Sequence, residues 1–255
     1  MIDPVAFQIG PVAIHWYGII IDAAFITGTL LAYHHAVKSG VSTDHLLNLI
    51  IIIIPSALIG ARLYYVIFNW QDYFYSPLEA LAIWHGGLAI HGGLLGSILA
   101  GYIYIKKHKL DFWHYADVFA PSVILGQAMG RWGNFINQEA YGVPAARDFI
   151  SHFPVFIQKQ MFIQGQYRHP TFLYESAWDL LVLFFLIFFF RRKHFPGQIM
   201  LFYLALYSLG RFFIEGLRTD SEMLGPIRLA QLVSLILIAL SAFIYYKKAT
   251  GKSQT

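Results

Sequence analysis

The chain is 255 residues long, with 57% hydrophobic and only 13% charged residues, against roughly 45–50% and 25% in soluble domains. That balance indicates a membrane protein, and the complete absence of cysteine excludes a disulfide framework, a thiolate metal site and an enzymic thiol nucleophile. The net charge of +4 does not point to nucleic acid, because the Lys and Arg residues sit in short loops and not on one continuous face.

In chain order, residues 1–12 lack a basic n-region and a small-residue cleavage pattern, so no removable signal peptide is expected. With about 20 apolar residues to a span, about seven spans are predicted: 16–37, 46–68, 88–105, 115–129, 177–190, 198–214 and 229–246. Basic residues follow alternate spans: Lys38, then Lys106, Lys107 and Lys109, then Arg191, Arg192 and Lys193, then Lys247, Lys248 and Lys252. By the positive-inside rule these loops are cytoplasmic. The N-terminus and 69–87 contain no Lys or Arg, which puts both on the other side and agrees with an odd number of spans.

The expected class is therefore an all-α polytopic membrane protein. It is a single transmembrane domain over 1–255, N-terminus outside and C-terminus cytoplasmic. The polar-aromatic stretch 143–170 forms a small extracytoplasmic head, and connections of that length are often functional. The tail 249–255 is expected to be disordered. Aromatic residues reach 17%, and Trp16, Tyr17, Trp70, Tyr73, Phe74, Tyr75 and Trp84 read as interfacial belts.

Ionisable groups within spans are functional candidates by default: Asp22, Arg62, His91, Asp117, Asp179, Arg211 and Glu215. Asp22 and Asp179 are assigned to structural pairing, and Arg62 either pairs with one of them or faces an anionic head group. Tyr207, Arg211 and Glu215 are spaced by four and share a helix face. Arg211 either fixes packing through Glu215 or turns spare donors to a phosphate. His91 is either a packing residue or a proton acceptor near neutral pH, with Gly92 and Gly93 leaving space for a ligand beside it; His85 is read as packing. None of the 11 His residues falls in an HExxH or similar spacing, so no metal and no cofactor are expected.

The densest polar stretch is Gly126 to Gly142, which carries Arg131, Asn134, Asn137 and Glu139 among Gly130, Gly133 and Gly142. Arg131 has a planar fork suited to phosphate, and the glycines remove side chains where backbone turns or meets a ligand. If the stretch is helical, Asn134 and Asn137 share a face, either to bond head-group hydroxyls or to brace the turn.

The pattern G-R-x-G-N-F-x-N-x-E-x-x-G is complete from Gly130 to Gly142. His15-Trp16-Tyr17-Gly18, His91-Gly92-Gly93, His169-Pro170-Thr171-Phe172-Leu173-Tyr174-Glu175 and Tyr207 through Arg211 and Glu215 to Arg218 follow the same family in order. Across essentially its whole length the chain resembles the prolipoprotein diacylglyceryl transferases of bacterial inner membranes. The resemblance implies transfer of the diacylglyceryl group from phosphatidylglycerol to the lipobox cysteine thiol of a preprolipoprotein. A thioether forms and glycerol phosphate leaves, as the first step of lipoprotein maturation.

On that resemblance Arg131 matches the phospholipid-binding arginine and Arg211 the second essential one. His91 matches the proposed base, acting alone or with a tyrosine or water, and Asn134, Asn137, Glu139, Gly142, Tyr17 and Tyr207 match residues lining the site. Ala61 stands where many members have Gly, and 143–170 shows no alignable motif. The rival reading, a small-solute transporter, requires pseudo-symmetric halves, and no second copy of the Gly130–Gly142 pattern occurs. A CDP-alcohol phosphotransferase requires a paired-Asp metal motif that is absent.

Overall fold

The computed structural model describes residues 1–251, with His85 and Gly251 described by backbone only. Of the tail 249–255 expected to be disordered, 249–251 are helical, and Lys252 with the residues after it lies outside the described residues. The chain divides into two compact units, one of residues 1–32 with 116–255 and the other of residues 33–115.

The protein is mostly helical. The helices are α1 (Trp16–Ser39), α2 (Thr43–Phe68), α3 (Trp70–Tyr73), α4 (Ile90–Lys107), α5 (Phe112–Asn137), α6 (Arg147–Ser151), α7 (Val155–Gln160), α8 (Thr171–Phe190), α9 (Gln198–Glu215) and α10 (Leu229–Gly251). The expectation of an all-α chain needs one correction, because the described residues include three two-stranded antiparallel hairpins. These are β1 (Val5–Ile9) with β2 (Val12–His15), β3 (Phe162–Ile163) with β4 (Gln166–Tyr167), and β5 (Met223–Leu224) with β6 (Ile227–Arg228). Each turns at a glycine with positive φ, Gly10, Gly165 or Gly225, the backbone state glycine enters without steric cost.

Among the described residues four helices are individually long and apolar enough to cross a membrane: Trp16–Ser39, Thr43–Phe68, Thr171–Phe190 and Leu229–Thr250. Outward Leu, Ile and Phe side chains cover them, Ile51, Leu181, Phe184 and Ile236 among them, as lipid contact requires. The other three predicted spans correspond to α4, α5 and α9. Helix α5 is more polar because much of it is enclosed by protein: Tyr115, Asp117, Val118, Ala120, Ile124 and Ala128 are all buried. It also runs eight residues past the predicted end at 129.

In the first unit both ends of α5 are pinned by hydrogen bonds. At its start, buried Asp117 accepts from the backbone N–H groups of Gly197 (2.9 Å) and Met200 (3.0 Å) and pairs with Lys193 at 3.1 Å. The carboxylate thus caps the N-terminus of α9, where unpaired N–H groups and the helix dipole favour an anion. At its far end Gln138 takes a positive φ of 54°. Its N–H bonds Phe135 O (3.2 Å) and the next N–H, of Glu139, bonds Asn134 O (3.0 Å), the arrangement of a Schellman stop. Buried Gln160 donates as well to the carbonyls of Phe135 (3.2 Å) and Ile136 (2.8 Å).

Helices α6 and α7 and the β3–β4 hairpin make up most of the predicted head segment. It packs through Ile157, Met161 and Ile163 onto Phe135 of α5 and Phe172 of α8, whose rings stack 4.2 Å apart.

In the second unit α2 and α4 pack backbone to backbone. A Cβ placed on Gly92 would collide with Gly60 O and the Tyr64 Cβ, and one on Gly96 with Ser56 O. These glycines therefore allow close helix approach, which without a hydrophobic drive in lipid is the main source of helix association. This corrects the expectation that Gly92 opens ligand space beside His91. Arg62 is also reassigned. Its guanidinium donates to four carbonyls, those of Glu79 (2.6 Å), Ala80 (2.9 Å), Gly86 (2.7 Å) and Gly87 (3.0 Å), and so ties down the irregular segment between α3 and α4.

A side chain at Gly92 must push α2 and α4 apart, whereas a Cβ at Gly93 meets only ordinary contacts at 3.4 Å or more. Overpacking typically costs about 1–3 kcal/mol. Gly92→Val is accordingly expected to lower the melting temperature in detergent, with Gly93→Ala near wild type; equal melting temperatures for the two variants would contradict this packing.

Candidate functional site

Within the first unit, the C-terminal end of α5, the N-terminal end of α8 and the C-terminal end of α9 meet around one carboxylate, Glu175. It is held in register by its neighbour. Ser176 Oγ donates to Ala128 O at 2.9 Å and accepts from Trp132 Nε1 at 3.1 Å, which locks α8 against α5 one residue away.

Three guanidinium groups converge on Glu175. Arg131 Nη2 lies 2.6 Å from Oε2, an ion pair by distance without in-line hydrogen-bond geometry. Arg211 Nη1 donates to Oε1 at 2.9 Å, and Arg218 Nη1 reaches the same oxygen at 3.4 Å. Arg211 Nη2 also lies 2.7 Å from Glu215 Oε2, so both of its terminal nitrogens contact carboxylates. Glu215 is buried as well, with Arg218 Nε at 3.8 Å and its backbone carbonyl accepting from Arg228.

Arg218 completes the ring with a bidentate pair to Asp220 at 2.9 and 2.7 Å. Burial acts to lower its pKa. The Asp220 bond and the Glu175, Asp220 and Glu215 charges outweigh that and raise it above the ordinary arginine value, so the group stays cationic. The three arginines, 10–19% exposed, face Glu175, Glu215 and Asp220. Charges this deeply placed are tolerated only when paired in this way.

The signature stretch supplies the rim. Gly142 donates its N–H to His169 O at 3.0 Å and forms a β-bridge with Arg218, and Val143 N bonds Leu217 O at 2.8 Å. A Cβ on Gly142 would lie 2.7 Å from His169 Cβ, so this glycine admits the segment carrying His169. Gly133 admits the Tyr17 ring, whose Cδ2 would lie 2.6 Å from an added Cβ. Asn134 and Asn137 both turn their amide N–H groups to Glu139 Oε1, at 2.9 and 3.4 Å, and so brace the turn after α5. Tyr207 stacks on Tyr203 with centroids 5.8 Å apart and shares the electrostatic surroundings of Arg131, Arg211, Glu175 and Asp179.

Among the sequence-predicted site residues, Tyr17, Arg131, Asn134, Asn137, Glu139, Gly142, Tyr207 and Arg211 all belong to the first unit, and His91 to the second. His91 is exposed on the first turn of α4, its ring centroid 6.1 Å from that of Tyr64. The structural pairing expected for Asp22 and Asp179 is not found among the described residues. Asp22 is exposed on α1, and Asp179 is buried one turn beyond Glu175 with Oδ2 lacking a hydrogen-bond partner.

Sequence reasoning gave Glu175 no role because it began the fifth span at 177, whereas α8 starts at Thr171. The signal was present as two carboxylates, Glu175 and Asp179, four apart at the head of an otherwise apolar run, hence on one helix face.

Residues 4–247 match the family described as prolipoprotein diacylglyceryl transferase. Two relatives from Clostridium botulinum, strains Loch Maree and 657, both named phosphatidylglycerol–prolipoprotein diacylglyceryl transferase, are 53% identical over 244 residues. The alignments cover 96% of this chain and 96% and 98% of the relatives. A third, from Clostridium kluyveri and with the same name, is 52% identical over 251 residues and 98% of both chains. With the Gly130–Gly142 signature placed against an arginine cluster built on the buried Glu175 and the match running nearly end to end, the chain belongs to the prolipoprotein diacylglyceryl transferase family.

Proposed function

We propose that this protein is the transferase that moves the diacylglyceryl group of phosphatidylglycerol onto the lipobox cysteine thiol of a preprolipoprotein. The carbon–oxygen bond between the diacylglyceryl group and phosphate breaks and a carbon–sulfur bond forms. The thiol proton passes to a base and glycerol phosphate leaves. Family membership and the shared name of its relatives support the reaction. The observation that carries the site assignment is the convergence of Arg131 and Arg211 on one buried carboxylate.

Charge grows on the phosphate oxygen as the bond breaks, and guanidinium groups already held in place stabilise it without reorganising. Arg131 and Arg211 serve the phosphate, while Glu175, Glu215 and Arg218 fix their positions. Tyr17, Asn134, Asn137, Glu139 and Gly142 shape the head-group side, and Tyr207 stands beside the arginines. His91, alone or with a tyrosine or water, takes the thiol proton. The chain acts as one transmembrane domain of seven spans in the bacterial inner membrane. Its N-terminus, the 143–170 head and the site are extracytoplasmic, and its C-terminus is cytoplasmic. Outward apolar helices and the alternating basic loops support that topology.

Purified protein with labelled phosphatidylglycerol is expected to lipidate a lipobox peptide carrying Cys and not one carrying Ser; equal labelling, or none, would refute the reaction. In the same assay Arg131→Lys keeps the charge but loses the planar fork, and a fall in rate of about 10²–10³ is expected. His91→Ala is expected to slow transfer by about 10²–10⁴ at neutral pH, and near wild-type turnover would remove His91 as the base. Because the chain has no native cysteine, single replacements report its topology. Lys159→Cys should react with an impermeant maleimide from outside the cell and Lys107→Cys only after lysis; the reverse pattern would invert the assignment.

A further inference from the structure

Next to the arginine cluster lies a second polar layer, one turn further along each of the same three helices of the first unit. Gln127 stands four residues before Arg131 on α5, Asp179 four after Glu175 on α8, and Tyr207 four before Arg211 on α9, so each shares a helix face with its counterpart in the cluster. Part of this layer is closed on itself. Tyr203 donates its hydroxyl to Gln127 Oε1 at 3.1 Å, and the Tyr207 ring stacks on that of Tyr203. Asp179 is different. It is only 2% exposed, and its Oδ2 has no hydrogen-bond partner. The charges that act on it are those of Arg131, Glu175 and Arg211.

Glu175, Glu215 and Asp220 already match the three arginines one for one. Asp179 therefore adds a surplus carboxyl group one turn from another, an unfavourable pairing by itself, and a buried polar atom without a partner calls for an explanation. An unused donor lies in the same cluster. Arg131 Nε is also buried without a partner, and Arg131 meets Glu175 Oε2 at 2.6 Å without in-line hydrogen-bond geometry. The other two arginines are better held: Arg211 donates to Glu175 Oε1 at 2.9 Å, and Arg218 grips Asp220 with two bonds. Of the three, Arg131 is the least fixed in this arrangement.

We propose that Asp179 is a positioning residue for the transfer reaction, accepting the Arg131 Nε–H as that guanidinium turns from Glu175 toward the phosphate. This inference rests on the activity proposed above and adds a residue to its site. A phosphate arriving at Arg131 and Arg211 competes with Glu175 for their Nη donors. With Nε held by Asp179, both Nη groups of Arg131 face the phosphate as a planar fork. The two unpaired atoms of the resting site satisfy each other as charge develops on the leaving phosphate. The new bond therefore stabilises the transition state more than the bound substrate, and the gain appears in kcat.

The test measures kcat and KM for phosphatidylglycerol with the Cys lipobox peptide, together with the melting temperature in detergent. Asp179→Val, which removes the acceptor, is expected to lower kcat about tenfold or more with KM changed by less than about twofold. Asp179→Asn keeps the size and one acceptor oxygen but not the charge, and its kcat should fall about threefold or more, between Asp179→Val and wild type. Neither should lower the melting temperature, because each removes an unpaired buried carboxyl group. Lys has no Nε, so in an Arg131→Lys background Asp179→Val should cost less than about twofold further in kcat. Unchanged kcat in folded Asp179 variants, with or without a lower melting temperature, marks a packing residue and overturns the inference. So does a full additional loss in the Arg131→Lys background. Should Asp179→Val unfold, Asp179→Asn decides by the same measurements. No transfer by the wild-type protein overturns the activity itself, and the role of Asp179 with it.

Discussion

The Glu175 carboxylate, buried at the joint of three helices, is the interaction on which the rest of this site depends. It brings together Arg131 from α5, Arg211 from α9 and Arg218 from the turn beyond α9, groups whose like charges would otherwise drive them apart. Removing a charge from water costs several kcal/mol per ion unless partners compensate. Here Glu175, Glu215 and Asp220 balance the three arginines, so the cluster survives with little solvent. Removing Glu175 or Glu215, the buried carboxylates, leaves an uncompensated charge in a poor place.

The same constraint explains the architecture around it. A carboxylate held against three guanidinium groups requires helices that neither slide nor rotate, and each contributing end is fastened by backbone or side-chain hydrogen bonds. Ser176 and Trp132 lock α8 to α5, Gln160 and the Gln138 turn stop α5, and Arg228 and Gln231 hold the last carbonyls of α9. Eighty residues away in sequence, Asp117 fastens the other end of α9 through Gly197. Rigid placement is what turns paired charges into preorganised ones, and preorganisation gives an arginine pair its value when charge develops on a phosphate.

Glycine has separate uses in the two units. In the second unit Gly60, Gly92 and Gly96 let α2 and α4 approach until backbone meets backbone, the route to association that remains when lipid is as apolar as the helices themselves. In the first, Gly133, Gly142 and Gly210 make room for particular side chains, Tyr17, His169 and Trp178. The same residue type thus serves packing between helices in one place and accommodation of a side chain in another.

Hydropathy and charge determined the membrane-protein class, the positions at which the long helices occur and the family, because these depend on local composition and on one contiguous signature, Gly130–Gly142. The arginines were legible for the same reason: a guanidinium beside an apolar run is conspicuous. The partners of those arginines were not. Glu175 lay two residues outside a predicted span, and Arg62 read as an ion-pair member or a head-group contact when four carbonyls claim it. Asp117 gave no sign that it caps a helix 80 residues away. Pairing depends on which helix faces turn toward each other, and a chain of apolar spans leaves that to close packing of side chains drawn from distant segments. Composition decided what each segment is, and only the assembled fold decided which charges meet.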